Sequence, residues 1–234
     1  MKPKALKVND YIKSSHDKAK AQHFLWENRI NVYNAQALPP DINIEHVLEN
    51  IASRLPSSFL EGIESIFIGD FEHMRKKEVD AMFQDGAIYI YPPYVHSEED
   101  LEDDLVHEIA HSLETLHMEE IYGDGQLERE FLFKRMQLVG ALKDEGAPFF
   151  PRDYFLNVDY SAELDNYLYR VVGYPLLATL TTHIFVSPYG ATSLREYFAN
   201  GFEEYYMREP NAVKNISPQL YKKIVLLYNN AEES

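Results

Sequence analysis

The sequence predicts an α+β fold, with strand-like segments early in the chain and a mostly helical C-terminal half. Two short segments, residues 63–68 and 87–91, are rich in β-branched and aromatic side chains, as strands are. Beyond Gly123 the apolar residues recur mostly at helical spacing. The 234 residues are 45% hydrophobic and 26% charged, close to globular averages, which disfavours collagen-like, coiled-coil and disordered classes.

The N-terminal segment has a polar, amphipathic pattern that favours a helix over about the first 35 residues. Leu38-Pro39-Pro40-Asp41 ends this pattern, because proline and aspartate favour turns. We therefore expect residues 1–40 to form an N-terminal helical extension and residues 41–234 to form the main domain. The predicted buried stripe of the extension comprises Phe24, Leu25, Ile30 and Val32.

The next part of the chain predicts one helix and two strands. Apolar residues recur at helical spacing from Ile42 to Leu55. A strand is predicted over residues 63–68, and the turn signal Asp85-Gly86 precedes the strand over residues 87–91. Pro92-Pro93 ends this second strand. Because proline cannot donate a ladder hydrogen bond, we expect that strand at the edge of a small mixed sheet.

The charge balance excludes several classes of partner. The chain carries 22 Lys and Arg against 38 Asp and Glu, a formal charge of −16, and no Cys. Nucleic acid and anionic membranes are unsuitable partners, because phosphate contacts need clusters of Lys and Arg. Without Cys, any metal must be held by His and carboxylates. No secretory signal is visible, and the most apolar stretch, residues 171–186, is interrupted and shorter than the ~20 residues that span a bilayer.

The longest predicted helix carries the most informative motif. It begins after the N-cap residue Ser97, runs to about Met118, and contains His107-Glu108-Ile109-Ala110-His111. Because positions i and i+4 share a helical face, both imidazoles can reach one metal ion, with Glu108 beside them as general base. Asp104 and Glu114 continue the stripe and could orient the imidazoles, unless they are solvated as most helix acids are. Two surface histidines beside an acidic run are the alternative interpretation.

A zinc site of this kind needs a third protein ligand and leaves the fourth position for water. The best candidate is Glu196, in the first turn of a helix that Thr192 or Ser193 can cap. Four other carboxylates remain open as that ligand: Glu203, Glu204, Glu163 and Asp165.

Together these motifs resemble the lethal-factor-like metallopeptidases, which include the anthrax toxin catalytic domain and the clostridial Pro-Pro endopeptidases. The resemblance rests on HEIAH, on Glu196-Tyr197-Phe198-Ala199 and on Tyr189, and it covers roughly residues 42–210. It implies a zincin-like fold of the gluzincin HExxH type, with an edge strand beside the active-site helix. It also implies one Zn²⁺ held by His107, His111 and Glu196, with Glu108 as general base and Tyr189 supporting the oxyanion.

The chain departs from the family at two places. Asn200 stands four residues after Glu196, where the family usually has a second Glu, so a hydrogen-bonding group is kept and a charge is lost. The spacer between His111 and Glu196 is longer than in compact relatives, and residues of about 119–165 are an expected insertion. Its prolines and aromatic residues either line a substrate cleft or, as is commoner, pack against the core. These residues are Pro148, Phe149, Phe150, Pro151, Tyr154 and Phe155.

The predicted activity is that of a zinc metalloendopeptidase, which hydrolyses a peptide bond of a protein or peptide substrate with zinc-activated water. The segment around Glu196 also resembles ImmA/IrrE-type regulatory proteases, although nothing basic enough for a DNA-binding module accompanies it. A non-catalytic zincin-like structural or interaction module is the third possibility, and the intact set of catalytic residues counts against it. With no visible signal peptide, we expect a cytoplasmic or delivered, virion-associated protein rather than a secreted one.

Overall fold

The computed structural model describes residues 23–77 and 79–232. The chain divides into two compact units. The first comprises the described residues up to Ser53 together with Ile63–Leu105, and the second comprises Arg54–Gly62 together with the described residues from Val106 onward. The first contains the sheet and the second is helical, so the predicted α+β class with a mostly helical C-terminal half is confirmed.

The sheet of the first unit is mixed and has five strands within the described residues. They are β1 (His23–Trp26), β2 (Ile30–Asn34), β3 (Ser65–Ile68), β4 (Ala81–Gln84) and β5 (Ala87–Ile90). Their order in the sheet is β1-β2-β3-β5-β4. The central strands β2, β3 and β5 run parallel, and β1 and β4 pair antiparallel with their neighbours.

The two faces of this sheet differ in chemistry because side chains alternate along each strand. On one face Val32, Ile66 and Ile88 lie in register and are fully buried. On the other face the rings of Tyr33, Phe67 and Tyr89 stack across the strands, with centroids 5.1 and 5.4 Å apart. The unit also contains the helices α1 (Ile44–Arg54) and α2 (Glu72–Lys77).

The predicted helix over the N-terminal extension is wrong for residues 23–34, which form the β1–β2 hairpin. Ile30 and Val32 are fully buried while Leu25 is exposed, a pattern that follows the two-residue period of strands. Residues 1–22 of that extension lie outside the described residues. The predicted boundary at residue 40 and the insertion over about 119–165 remain predictions.

The predicted edge position of the second strand is also wrong, since β5 lies between β3 and β4. Pro92 and Pro93 come after the last ladder residue, in a 3₁₀ turn over Pro92–Tyr94, where a missing N–H costs no ladder bond. The edge strand on this side of the sheet is β4, which the sequence patterns did not indicate. It joins β5 through Asp85-Gly86, where both residues have positive φ, 50° and 78°, as a two-residue hairpin turn requires.

Helix α3 (Glu98–Leu116) begins in the first unit and continues into the second. The other α-helices of the second unit are α4 (Met118–Tyr122), α5 (Gln126–Asp144), α6 (Arg152–Leu156), α7 (Ala162–Asn166), α8 (Tyr174–Thr181), α9 (Leu194–Glu203), α10 (Pro210–Ile216) and α11 (Pro218–Glu232). Two π-helical segments, Tyr167–Gly173 and Glu204–Arg208, interrupt this series. No helix among the described residues is long and apolar enough to cross a membrane.

Candidate metal centre

Helix α3 carries the HEIAH motif and begins as the sequence predicts. The Ser97 hydroxyl accepts a hydrogen bond from the Asp100 N–H at 3.0 Å, which caps the helix. Ten and fourteen residues after Ser97, His107 and His111 project from one face of the helix, with ring centroids 4.9 Å apart. Glu108 and His111 are buried, and His107 is half-buried. The motif therefore lies in a largely desolvated place, where electrostatic interactions are strong.

Helix α9 supplies the carboxylate. Ser193 is its N-cap, and the Ser193 hydroxyl accepts a hydrogen bond from the Glu196 N–H at 3.1 Å. Glu196 consequently lies in the first turn, as predicted from the sequence. The fully buried Arg135 of α5 fixes the segment before this cap. Its guanidinium donates to the carbonyls of Ala191 at 2.9 Å and Thr192 at 2.5 Å.

The two helices bring His107, His111 and Glu196 together. One potential ligand atom from each lies within 4.8 Å of the others. Among the described residues, these three form the one group of His, Cys, Asp or Glu side chains close enough together to hold a metal ion. The His107 Nε2 is 3.0 Å from the Glu196 Oε2, and the His111 Nε2 is 3.6 Å from the Glu196 Oε1. The three side chains predicted as ligands therefore face one another through the atoms that could bind a metal ion.

A carboxylate approaches the opposite nitrogen of each imidazole. The His107 Nδ1 is 3.3 Å from the Glu203 Oε2, and the His111 Nδ1 is 2.6 Å from the Glu114 Oε2. An imidazole whose Nδ1 is held by a carboxylate presents Nε2 in a fixed direction, which is how ligating histidines are usually supported. Arg208 donates to Glu203 at 2.8 Å and so holds this carboxylate in turn.

Glu114 is the centre of a buried hydrogen-bond network. Besides His111, the Tyr122 hydroxyl donates to its Oε1 and the Arg195 Nε donates to its Oε2 at 3.2 Å. Glu114 is buried, so these donors replace the water that its charge would otherwise need. The structure thus places Glu114 against an imidazole, the position proposed from the sequence.

The other two residues expected to orient the ligands differ from Glu114. The Asn200 Nδ2 donates to the backbone carbonyl of Glu196 at 2.8 Å, and the Ser187 hydroxyl donates to the Asn200 Oδ1 at 2.5 Å. Asn200 therefore braces the helix backbone. Asp104 belongs to the first unit, and its orienting role remains a prediction.

The ionisation of the cluster reflects this arrangement. Burial alone would lower the pKa of His107, but the Glu196 and Glu203 carboxylates outweigh it and raise the pKa to about 10. The same competition, with Glu114 and Glu196, raises the pKa of His111 to about 9. Burial would raise the pKa of Glu196, yet hydrogen bonding to the two histidines holds it well below its usual range. Without metal, two imidazolium charges thus offset part of the negative charge of the carboxylates. Two imidazole nitrogens with one carboxylate suit a divalent ion such as zinc.

Tyr189 lies at the start of a 3₁₀ turn, Tyr189–Ala191, shortly before α9. Tyr189 is 46% exposed, but partial desolvation of its phenol and then the negative charge of Glu196 raise the pKa of that phenol above the usual range, with a contribution from Glu108. The phenol is therefore protonated at neutral pH and can donate a hydrogen bond near the carboxylates.

Tyr160 is a second tyrosine whose phenol pKa is raised in part by the charge of Glu196, and the sequence did not indicate it. Its hydroxyl donates to Asp165 at 2.9 Å. Burial and this hydrogen bond, with a contribution from the charge of Glu196, raise its pKa to about 12. Asp165, one of the carboxylates left open as third ligand, is therefore occupied by Tyr160. No sequence signal distinguishes Tyr160 among the 17 tyrosines of the chain.

The residues that contact the Nδ1 atoms of the two histidines, and those that hold these contacts in place, could be predicted from the sequence only in part. Glu203 appeared as an alternative third ligand, but it contacts the Nδ1 of His107 and lies outside the converging group. Its spacing of seven residues from Glu196, two helical turns, was the available signal. Tyr122 and Arg195 had no such signal, because neither residue type marks a place near a metal ligand.

The aromatic residues of the predicted insertion form a cluster of their own. Phe150 stacks on Tyr167 with centroids 4.4 Å apart, and the buried Phe155 meets the ring of Phe150 edge-on at 6.0 Å. Phe149 next to them is 90% exposed. Packing, the commoner of the two expected roles, therefore describes Phe150 and Phe155, and Phe149 is left unpacked.

Comparison with known proteins gives no relative: no family model, no curated protein and no solved structure matches the chain. The resemblance to the lethal-factor-like peptidases rests on the HEIAH motif, the Glu196 segment and Tyr189.

Proposed function

We propose that the chain is a zinc-dependent endopeptidase of the lethal-factor-like type. The observation that carries the proposal is the convergence of His107, His111 and Glu196, with Glu108 on the same turn of α3 as the two histidines. The carboxylates on both Nδ1 atoms support it, because they fix the Nε2 atoms toward Glu196.

His107, His111 and Glu196 would hold the ion in this proposal. When bound, zinc supplies a Lewis acid that activates water and stabilises negative charge. Glu108, buried at 8% exposure, accepts the proton of the attacking water and delivers it to the leaving amine. The Tyr189 phenol, kept protonated, donates a hydrogen bond to the carbonyl oxygen of the scissile bond as charge develops there.

The first test compares wild type with Glu108→Gln on a mixed peptide library, with and without a chelator, after the bound metal has been quantified. We expect about one zinc per chain in both proteins, and cleavage only by wild type without chelator. Glu99→Gln is the matched control, since Glu99 is an exposed acid on the same helix. Equal cleavage by wild type and Glu108→Gln would contradict the proposed base, and zinc binding without any cleavage would leave a non-catalytic metal-binding module.

The second test concerns the phenol. Tyr189→Phe removes one hydroxyl and should lower kcat by roughly 100-fold or more, as removal of an oxyanion donor does, while zinc binding is unchanged. Tyr169→Phe, at an exposed tyrosine of the same unit, is the control and should retain wild-type activity. A Tyr189→Phe protein with the wild-type kcat would assign the oxyanion contact to another donor.

A further inference from the structure

The second unit contains a cavity whose lining includes none of the proposed metal ligands His107, His111 and Glu196. Its volume is about 370 Å³, and it is lined by residues between Val139 and Tyr167. Cavities that bind small molecules span roughly 300–1,000 Å³, so this one can accept a small ligand.

The walls of the cavity are fixed by local hydrogen bonds. Helix α5 ends in a Schellman motif, in which Gly146 has a φ of +71° and its N–H bonds the Lys143 carbonyl at 3.1 Å. The Ala147 N–H bonds the Leu142 carbonyl at 2.9 Å. Across the chain reversal, the Tyr167 hydroxyl donates to the Pro148 carbonyl at 2.6 Å. The cavity is therefore formed in advance of any ligand.

Aromatic rings provide its apolar lining. Phe150 and Tyr167 stack nearly parallel, at an interplanar angle of 19°, and Phe155 stands almost perpendicular to both. Phe149 also lines the cavity and is 90% exposed, more than any other large hydrophobic residue in the described part of the chain. An exposed apolar ring beside a preformed cavity is a typical property of binding sites, because a ligand can remove that ring from water.

The two charged residues that line the cavity are both cations. Lys143 and Arg152 are its charged lining residues, and no acidic residue lines it, although the chain as a whole has a net charge of −16. Within the described residues, neither cation forms an ion pair. A guanidinium and an ammonium at the mouth of an apolar cavity complement a carboxylate attached to an apolar body.

We propose that this cavity binds a small amphipathic carboxylate, such as a medium-chain fatty acid. The apolar body lies among Phe149, Phe150 and Tyr167, and the carboxylate lies between Lys143 and Arg152. The proposal is independent of the proposed peptidase activity, and it is tested on the metal-free chain of 234 residues.

The experiment is a fluorescence titration with 8-anilinonaphthalene-1-sulfonate, followed by displacement with decanoate, decanol and decyltrimethylammonium. We expect saturable binding to one site. Decanoate should displace the probe at a concentration roughly 3–10-fold lower than decanol, as expected for partly exposed charged contacts. The cationic amphiphile should be the weakest competitor. Binding of the probe without saturation, or equal displacement by decanoate and decanol, would overturn the proposal.

Three variants locate the site. The double substitution Lys143→Gln with Arg152→Gln should abolish the preference for decanoate over decanol, and Phe149→Ser should weaken both competitors. These side chains are exposed, so their replacement leaves the fold intact. Lys222→Gln, at an exposed lysine of α11, is the matched control and should behave as wild type. A preference that survives the double substitution, or wild-type affinities in Phe149→Ser, would refute the assignment to this cavity.

Discussion

Two carboxylates approach the histidine pair from the side that faces away from Glu196, and their removal tests the whole arrangement. Glu203 lies on the Nδ1 of His107 and Glu114 on the Nδ1 of His111. Glu203→Gln and Glu114→Gln keep a hydrogen-bond acceptor and remove the negative charge. The imidazoles then lose the partner that raises their basicity and fixes their orientation, so metal affinity should fall.

The structure sets different magnitudes for the two substitutions. Loss of such a partner typically costs 10- to 100-fold in metal affinity. Glu114 is only 4% exposed and 2.6 Å from its imidazole, so its charge is weakly screened and about 100-fold is expected. Glu203 is 18% exposed, lies 3.3 Å away and shares its charge with Arg208, so about 10-fold is expected.

The assay is competition for zinc against a chromogenic chelator, with thermal unfolding of the metal-free proteins as a check on folding. Glu128→Gln, at an exposed glutamate of α5, is the matched control and should leave zinc affinity unchanged. Wild-type affinity in both glutamine variants would refute the argument. A larger loss in Glu203→Gln than in Glu114→Gln would show that burial and distance do not set the ranking.

Three further predictions follow from buried cations and from the ionisation of the site. Arg135→Met leaves the carbonyls that the guanidinium binds without donors and should lower the free energy of unfolding by roughly 3–5 kcal/mol in urea titrations; an unchanged midpoint would contradict this. Burial lowers the pKa of Lys134 from 10.5 to about 8, so above that pH the folded chain binds fewer protons than the unfolded chain. The free energy of unfolding of wild type minus that of Lys134→Met should therefore rise by about 1.5 kcal/mol between pH 8 and pH 9.5, because the difference cancels the titration of the histidines; a difference that does not change with pH would contradict this. Because the pKa values of His107 and His111 are raised to about 10 and 9, zinc binding at pH 7.5 should release about two protons, measured by calorimetry in buffers of different ionisation enthalpy. Release of less than one proton would show that the imidazoles are already neutral.

The features that the sequence predicted correctly depend on residues close together in the chain. The Ser97 cap, the HEIAH spacing, the Ser193 cap and the first-turn position of Glu196 each involve fewer than about six consecutive residues, so helix geometry alone determines them. That α3 and α9 converge could be expected only because the two histidines of HEIAH need a third metal ligand and Glu196 can supply a carboxylate.

The errors concern features that depend on distant partners. Residues 23–34 carry apolar side chains at spacings that fit a helix or a strand, and pairing of β2 with β3 decides between them. In the same way, Pro92 and Pro93 describe only where β5 ends, and the partner on its far side is β4. Neither partner can be read from the local pattern.

Position 200 of α9 holds Asn, and the carboxylate that contacts the Nδ1 of His107 stands at position 203. Positions 196, 200 and 203 share one face of α9, because they follow the i, i+4, i+7 spacing. The Nε2 of His107 contacts Glu196. Its Nδ1, on the other side of the ring, contacts Glu203 and not Asn200.

The chain becomes π-helical directly after Glu203, over Glu204–Arg208. In a π-helix residues five apart are neighbours, whereas in an α-helix they point about 140° apart. This local change of period lets Arg208 reach Glu203 at 2.8 Å. His107 therefore has a charged partner, Glu203, on its Nδ1 side, although position 200 holds Asn. The π-helical segment supplies Arg208, which holds Glu203 in place.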